Sequence, residues 1–197
     1  MTTACNIENV TSKTPEGAEL DSERRKVRIA ALRSAGVCAA GLGAGYAMLP
    51  RHFPLPDAIA DRLAFALQAD IFVLLWVLFG VSLVSRGRRH SPVDIGTALS
   101  GPPSPRIAVE AAFLQNTLEQ AVLAIVLHLA LATFLPRESL GLIVASVALF
   151  ALGRATFLLG YRKGAGGRAF GMVTTALPTL LGYAAALVIL GSRLVDD

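Results

Sequence analysis

Residues 113–131 read FLQNTLEQAVLAIVLHLAL. The second half of this stretch suits lipid, yet the first half carries Asn116, Glu119 and Gln120. Extended to 107–135, the apolar run is long enough to cross a hydrocarbon core of about 30 Å, which takes roughly 20 helical residues. Four more runs reach that length, at 29–49, 63–84, 140–159 and 170–190. They are continuous and rich in Ala and Leu, whereas the strands of a membrane barrel alternate at period two over about ten residues. The expected fold class is therefore all-α, an integral membrane helical bundle of five spans. Composition agrees: 54% hydrophobic and 16% charged residues over 197 positions, with mean hydropathy +0.59, is too apolar for a soluble domain.

The net charge of +4 does not point to nucleic acid, because the cations are grouped at alternate ends of the spans instead of along one face. Arg24, Arg25, Lys26 and Arg28 precede the first span; Arg86, Arg88, Arg89 and Arg106 separate the second and third; Arg162, Lys163 and Arg168 separate the fourth and fifth. The other side holds Arg51 and Arg62, then Arg137, then Arg193 with Asp196 and Asp197. By the positive-inside rule the N-terminus is cytoplasmic and the C-terminus outside, as five spans require. About 25 polar residues before the first span argue against a cleaved signal peptide, and the expected setting is a bacterial inner membrane.

Residues 1–26 are polar and lack helical periodicity, so a mobile cytoplasmic tail is expected there. The segment 86–106 is long and broken by Pro and Gly, which argues against a helix through it. Cys5 and Cys38 form no disulfide or metal pattern, and Cys38 reads as a small buried thiol. Gly41 and Gly45 make a small-residue face on the first span for close packing of an unspecified helix. Pro178 predicts a local kink in the fifth span, with its freed carbonyl satisfied by a neighbour.

Ionisable groups inside spans are costly and need a partner, water or a function. Asn116, Glu119 and Gln120 fall within one helical turn and form a polar patch. At 1.5 Å per residue Asn116 and Glu119 lie roughly 13 to 18 Å from the basic end, and Arg154 in the fourth span lies roughly 10 Å from that end. A contact between Glu119 and Arg154, or a shared polar ligand, would offset the cost of burying either; an interhelical clamp without chemistry fits the same residues. Arg33 reads as an interfacial anchor, His128 as a satisfied packing residue, and Asp70 as a group near the far end that pairs locally or meets water. No metal-ligand spacing, phosphate loop or hydrolase triad is present in the sequence.

The pattern Asn116-x-x-Glu119 in one span, Arg154 in the next, then Gly160-Tyr161 and Arg168, resembles the MAPEG family of membrane proteins of eicosanoid and glutathione metabolism. The resemblance covers 62–192 as a four-helix membrane domain and leaves 27–50 as an additional transmembrane helix. It implies a homotrimer with glutathione bound between subunits near the cytoplasmic face, and transferase or peroxidase chemistry on a lipophilic substrate. Carried over, Asn116, Glu119, Arg154 and Tyr161 would bind glutathione, and Arg168 would stabilise its thiolate, the nucleophilic form of a thiol whose pKa is otherwise about 8.5. The sequence departs from the family pattern at Ala112, where a basic residue is common, at Phe157, where an aromatic hydroxyl is common, and at Gln120. Two other readings stay open: a non-catalytic scaffold or lipid-binding protein that keeps the fold, and a small transporter or channel, which no internal repeat supports.

Overall fold

The computed structural model describes residues 15–96 and 101–196. Five α-helices account for nearly all of them: α1 Pro15–His52, α2 Ile59–Arg89, α3 Ala108–Phe134, α4 Gly141–Gly160 and α5 Gly164–Asp196. Each matches one expected span, covering it to within a residue at either end. Short 3-10 turns, Arg137–Ser139 and Tyr161–Lys163, precede α4 and α5. Four continuous helical stretches are long and apolar enough to cross a membrane; the last, Arg137–Val195, folds back at Tyr161–Lys163 into the α4–α5 hairpin. Proline punctuates the joints: Pro54 and Pro56 separate α1 from α2, and Leu135, placed before Pro136, is extended and ends α3.

The small-residue face of α1 finds its partner in α4. A Cβ placed on Gly45 would lie 2.5 Å from the Cβ of Ala145, and one on Gly141 would meet the Gly45 carbonyl oxygen, so the two backbones touch where neither has a side chain. Against α5, α1 makes a polar seam. Ser34 Oγ donates to the Phe170 carbonyl at 2.7 Å and lies 2.8 Å from Thr174 Oγ1. Cys38 Sγ, 3.7 Å away, donates to the Thr174 carbonyl, the group that Pro178 leaves without its helical donor. The buried thiol is thus the neighbour that the proline requires.

Residues 1–14 of the expected tail lie outside the described residues, but 15–26 are not a tail: α1 begins at Pro15. Apolar periodicity is absent there because charge holds this part of the helix. Asp21 and Glu23 pair with Arg24 and Lys26 one turn on, and Glu23 Oε2 accepts the Gly166 amide of α5 at 3.0 Å. The segment 86–106 is helical through Arg89, and its described residues 90–96 and 101–106 form no helix, as expected; 97–100 lie outside the described residues. Asp94 ties its ends: it accepts from the hydroxyls of Ser91 and Ser104 and, at 2.9 Å, from the Ser104 amide.

α2 and α3 pack antiparallel, and the central apolar core joins Val73 of α2 to Ala121 and Ala124 of α3 and to Val147 and Phe150 of α4. Towards the joint between α3 and α4 a second cluster adds Leu55, Ala66, Ala132, Leu140 and Ile143.

Candidate functional site

Arg154 is the largest fully buried side chain among the described residues. Its Nη1 donates to Asn116 Oδ1 of α3 at 2.7 Å and its Nε to Thr175 Oγ1 of α5 at 3.1 Å. The guanidinium carbon lies 4.7 Å from the ring centre of Phe157 and 5.7 Å from that of Phe150. Nη2 has no hydrogen-bond partner among the described residues. Among the described residues no carboxylate enters the arrangement; two neutral acceptors and two aromatic faces hold the cation. The close approach of α5 depends on Gly153 and Gly171, since a Cβ on either would run into the facing helix backbone or Thr175.

The expected meeting of Glu119 with Arg154 does not occur within the protomer. Asn116 takes that place, and Glu119 is exposed, accepting from Gln115 Nε2 at 2.9 Å. Three residues on a 3.6-residue helix are offset by about 60°, and here the edge of the buried arc falls between the two positions. Phe113, Thr117, Ala121, Ala124 and His128 face the core. Gln115, Leu118, Glu119, Val122 and Val126 line the opposite arc and are exposed.

At the arginine-rich end, the Arg168 guanidinium lies 4.9 Å over the ring of Tyr161, and both residues are half-buried. Tyr161 stands edge-on to Phe157 at 5.4 Å, and Phe157 stacks on Phe113 at 6.3 Å. Phe157 and Tyr161 therefore lie between the two cations, with Arg154 over the Phe157 ring and Arg168 over the Tyr161 ring. Four of the five expected site residues form two pairs, Asn116 with Arg154 and Tyr161 with Arg168, and Glu119 stands apart.

One buried pair was not anticipated. His128 Nδ1 lies 2.6 Å from Asp70 Oδ1, linking α3 to α2, and each side chain is 2% exposed. Asp70 is therefore neither wet nor locally paired: its partner is on another helix, while Oδ2 has none among the described residues. His128 is a satisfied packing residue, as expected. The signal available beforehand was depth. Asp70 lies 19 residues before Arg89, the end of α2, and His128 lies 20 residues after Ala108, the start of α3, so an antiparallel pairing brings them level.

Among known proteins, the chain is 26% identical over 140 residues to transmembrane protein 79 of Mus musculus, covering 68% of this chain and 34% of the mouse protein. Transmembrane protein 79 of Bos taurus gives 26% identity with 68% and 33% coverage. The chain thus spans about a third of the length of these curated relatives. No solved structure matches it. The family model for the MAPEG family matches residues 63–188, that is, α2 to α5 without α1. With well over half its length under that match and an all-helical membrane bundle beneath it, this chain belongs to the MAPEG family.

Proposed function

We propose that this membrane protein binds glutathione at its arginine-rich end and uses it as a transferase or peroxidase on lipophilic substrates. The observation that carries this reading is the half-buried Arg168 guanidinium stacked on Tyr161 at the end of the bundle. A fixed cation there favours the thiolate over the thiol of a bound tripeptide, and the adjoining bilayer supplies an electrophile. In a conjugation the thiolate sulfur donates its electron pair to the electrophilic carbon, and the displaced group leaves with the pair of the broken bond.

The residues fit the tripeptide in part. Arg168, Tyr161 and Glu119 are available to it, whereas Asn116 Oδ1 already serves Arg154, and positions 112 and 157 bring Ala and Phe in place of further polar anchors. A homotrimer with a cytoplasmic N-terminus belongs to the same proposal. Glu119 lies about 17 Å along α3 on an arc otherwise lined by Leu118, Val122 and Val126. A carboxylate facing hydrocarbon is costly, and a second copy packed on that arc would cover it.

The test is calorimetric titration of the detergent-purified protein with glutathione, with Glu119→Gln and Arg168→Ala as controls. Saturable binding weakened by Glu119→Gln, and an ultraviolet thiolate band lost in Arg168→Ala, are the expected results. A specific observation favours a second reading, a non-catalytic scaffold or lipid-binding protein: Asn116, Arg154 and Thr175 satisfy one another within the protomer. Absence of binding at millimolar glutathione selects that reading.

A further inference from the structure

A second polar feature lies at the arginine-rich end, between α2 and α3. A cleft of about 430 Å³ opens there, lined by Leu83, Arg86, His90, Arg106, Ile107 and Glu110. This is within the range of about 300 to 1,000 Å³ usual for small-molecule sites. Its base is closed where Gly87 meets Ile107: a Cβ on Gly87 would lie 2.6 Å from Ile107 Cγ2. Above the base stand two exposed guanidiniums, Arg86 and Arg106. The first turn of α3 adds backbone amides that no side chain caps, since Ile107 occupies the cap position.

The cleft is not simply cationic. Glu110 Oε1 lies 3.7 Å from Arg162, but Glu110 Oε2 is buried and has no hydrogen-bond partner among the described residues. The side chain as a whole is 23% exposed and lines the cleft, so a ligand that brings an N–H to the carboxylate adds a hydrogen bond that the protein alone lacks. His90 Nδ1 lies 2.8 Å from the Arg86 carbonyl, which can only accept; the proton is therefore on Nδ1, leaving Nε2 as the other polar atom of the ring. Beside the cleft, Leu83 continues into the lipid-facing surface of α2, where Leu78 is 60% and Phe79 44% exposed.

We propose that this cleft holds the headgroup of an ethanolamine phospholipid, with the phosphate on Arg86 and Arg106 and the ammonium donating to the Glu110 carboxylate. The shared chemistry is phosphoethanolamine, an anion and a primary ammonium joined by a short linker, at the level where a bundle meets headgroups. A choline headgroup keeps the charges but has no N–H to donate, and a glycerol headgroup keeps the phosphate without the cation. The inference does not depend on the thiol reading.

Native mass spectrometry of the full chain in detergent, with phosphatidylethanolamine, phosphatidylcholine or phosphatidylglycerol added, tests it. Ethanolamine lipid is expected to bind about ten-fold better than choline lipid, the scale of one charge-assisted hydrogen bond. Glu110→Gln should erase that preference while leaving choline lipid binding unchanged, and Arg106→Gln should weaken all three lipids; circular dichroism checks that both variants fold. Equal binding of the three lipids to the unmodified protein overturns the proposal in favour of an unspecific annulus. Preference for phosphatidylglycerol, insensitive to Glu110→Gln, overturns it in favour of an anion site. Displacement of the lipid by soluble phosphoethanolamine or inorganic phosphate at equal concentration assigns the cleft to a soluble phosphate, and displacement by glutathione assigns it to the tripeptide.

Discussion

Two buried polar centres hold this bundle together, and they are built on opposite principles. Towards the arginine-rich end, Arg154 is a guanidinium surrounded by neutral groups: Asn116, Thr175 and the rings of Phe150 and Phe157. Deeper along α3, Asp70 and His128 pair a carboxylate with an imidazole at 2.6 Å, each partner satisfying the other. The first centre spreads one charge over three helices. The second confines two titratable groups to a single contact between α2 and α3. Burial therefore fixes geometry at Arg154 and pairing at Asp70–His128, and substitutions should separate the two.

The largest effect is expected at Arg154. Arg154→Ala removes a side chain with no exposed surface, strands the acceptor of Asn116 and opens a cavity beside Phe157, for a loss of about 3 to 5 kcal/mol. Arg154→Lys should recover little, because an ammonium cannot serve Asn116 and Thr175 in one plane while lying on a ring. Arg154→Met combined with Asn116→Leu should regain most of the stability, since an apolar contact replaces a buried polar one on both sides. Denaturant titration in one detergent measures all three. A double variant as unstable as Arg154→Ala would show that the charge itself is required, which would favour a ligand at this position over a clamp.

The Asp70–His128 contact should behave as a pair and not as two independent residues. Asp70→Ala and His128→Ala are each expected to lose about 1 to 3 kcal/mol, since each leaves a buried polar atom unmatched. The double variant should lose less than the sum, with a coupling of about 1 kcal/mol or more. The same cycle on Asp70 and Arg154, which share no hydrogen bond, should be additive within about 0.5 kcal/mol. Coupling between them would mean that the two centres are one network through Val73, Phe150 and the core between them.

How far these centres were legible depends on what each position answers to. The helices were readable because continuous hydropathy needs no knowledge of neighbours, and the joints because Pro54, Pro56 and Pro136 break the chain locally. Depth was readable as well: counting from the basic end put Asn116 level with Arg154, and the same count from Arg89 and Ala108 would have put Asp70 level with His128. The direction in which Glu119 points was not readable, because it depends on which arc of α3 the other helices cover, a property of packing that a nearly all-round apolar helix does not declare. The start of α1 was missed for a related reason. Glu23 and Lys26 hold that turn through contacts 3 residues apart and through Gly166, 143 residues away, and neither leaves an apolar period.

Asp94 sharpens the comparison from outside the bilayer, with the smallest effect. It is a carboxylate held, like Arg154, by neutral partners; hydrogen bonds from Ser104 and then Ser91 lower its pKa. A lowered folded value means that the protonated form is disfavoured in the native loop. The stabilisation is therefore complete above the unfolded pKa of about 3.9 and disappears as pH falls through the lower folded value. At pH 7, Asp94→Ala should speed amide exchange at Ser104 and lower the melting temperature only slightly, because solvent reaches the carboxylate. Towards pH 2 to 3 the parent should approach the variant, while the Arg154 variants keep their full deficit, since that guanidinium does not titrate over this range. A deficit in Asp94→Ala that stayed constant down to pH 2 would show that the ionised form of the carboxylate is not what stabilises the loop.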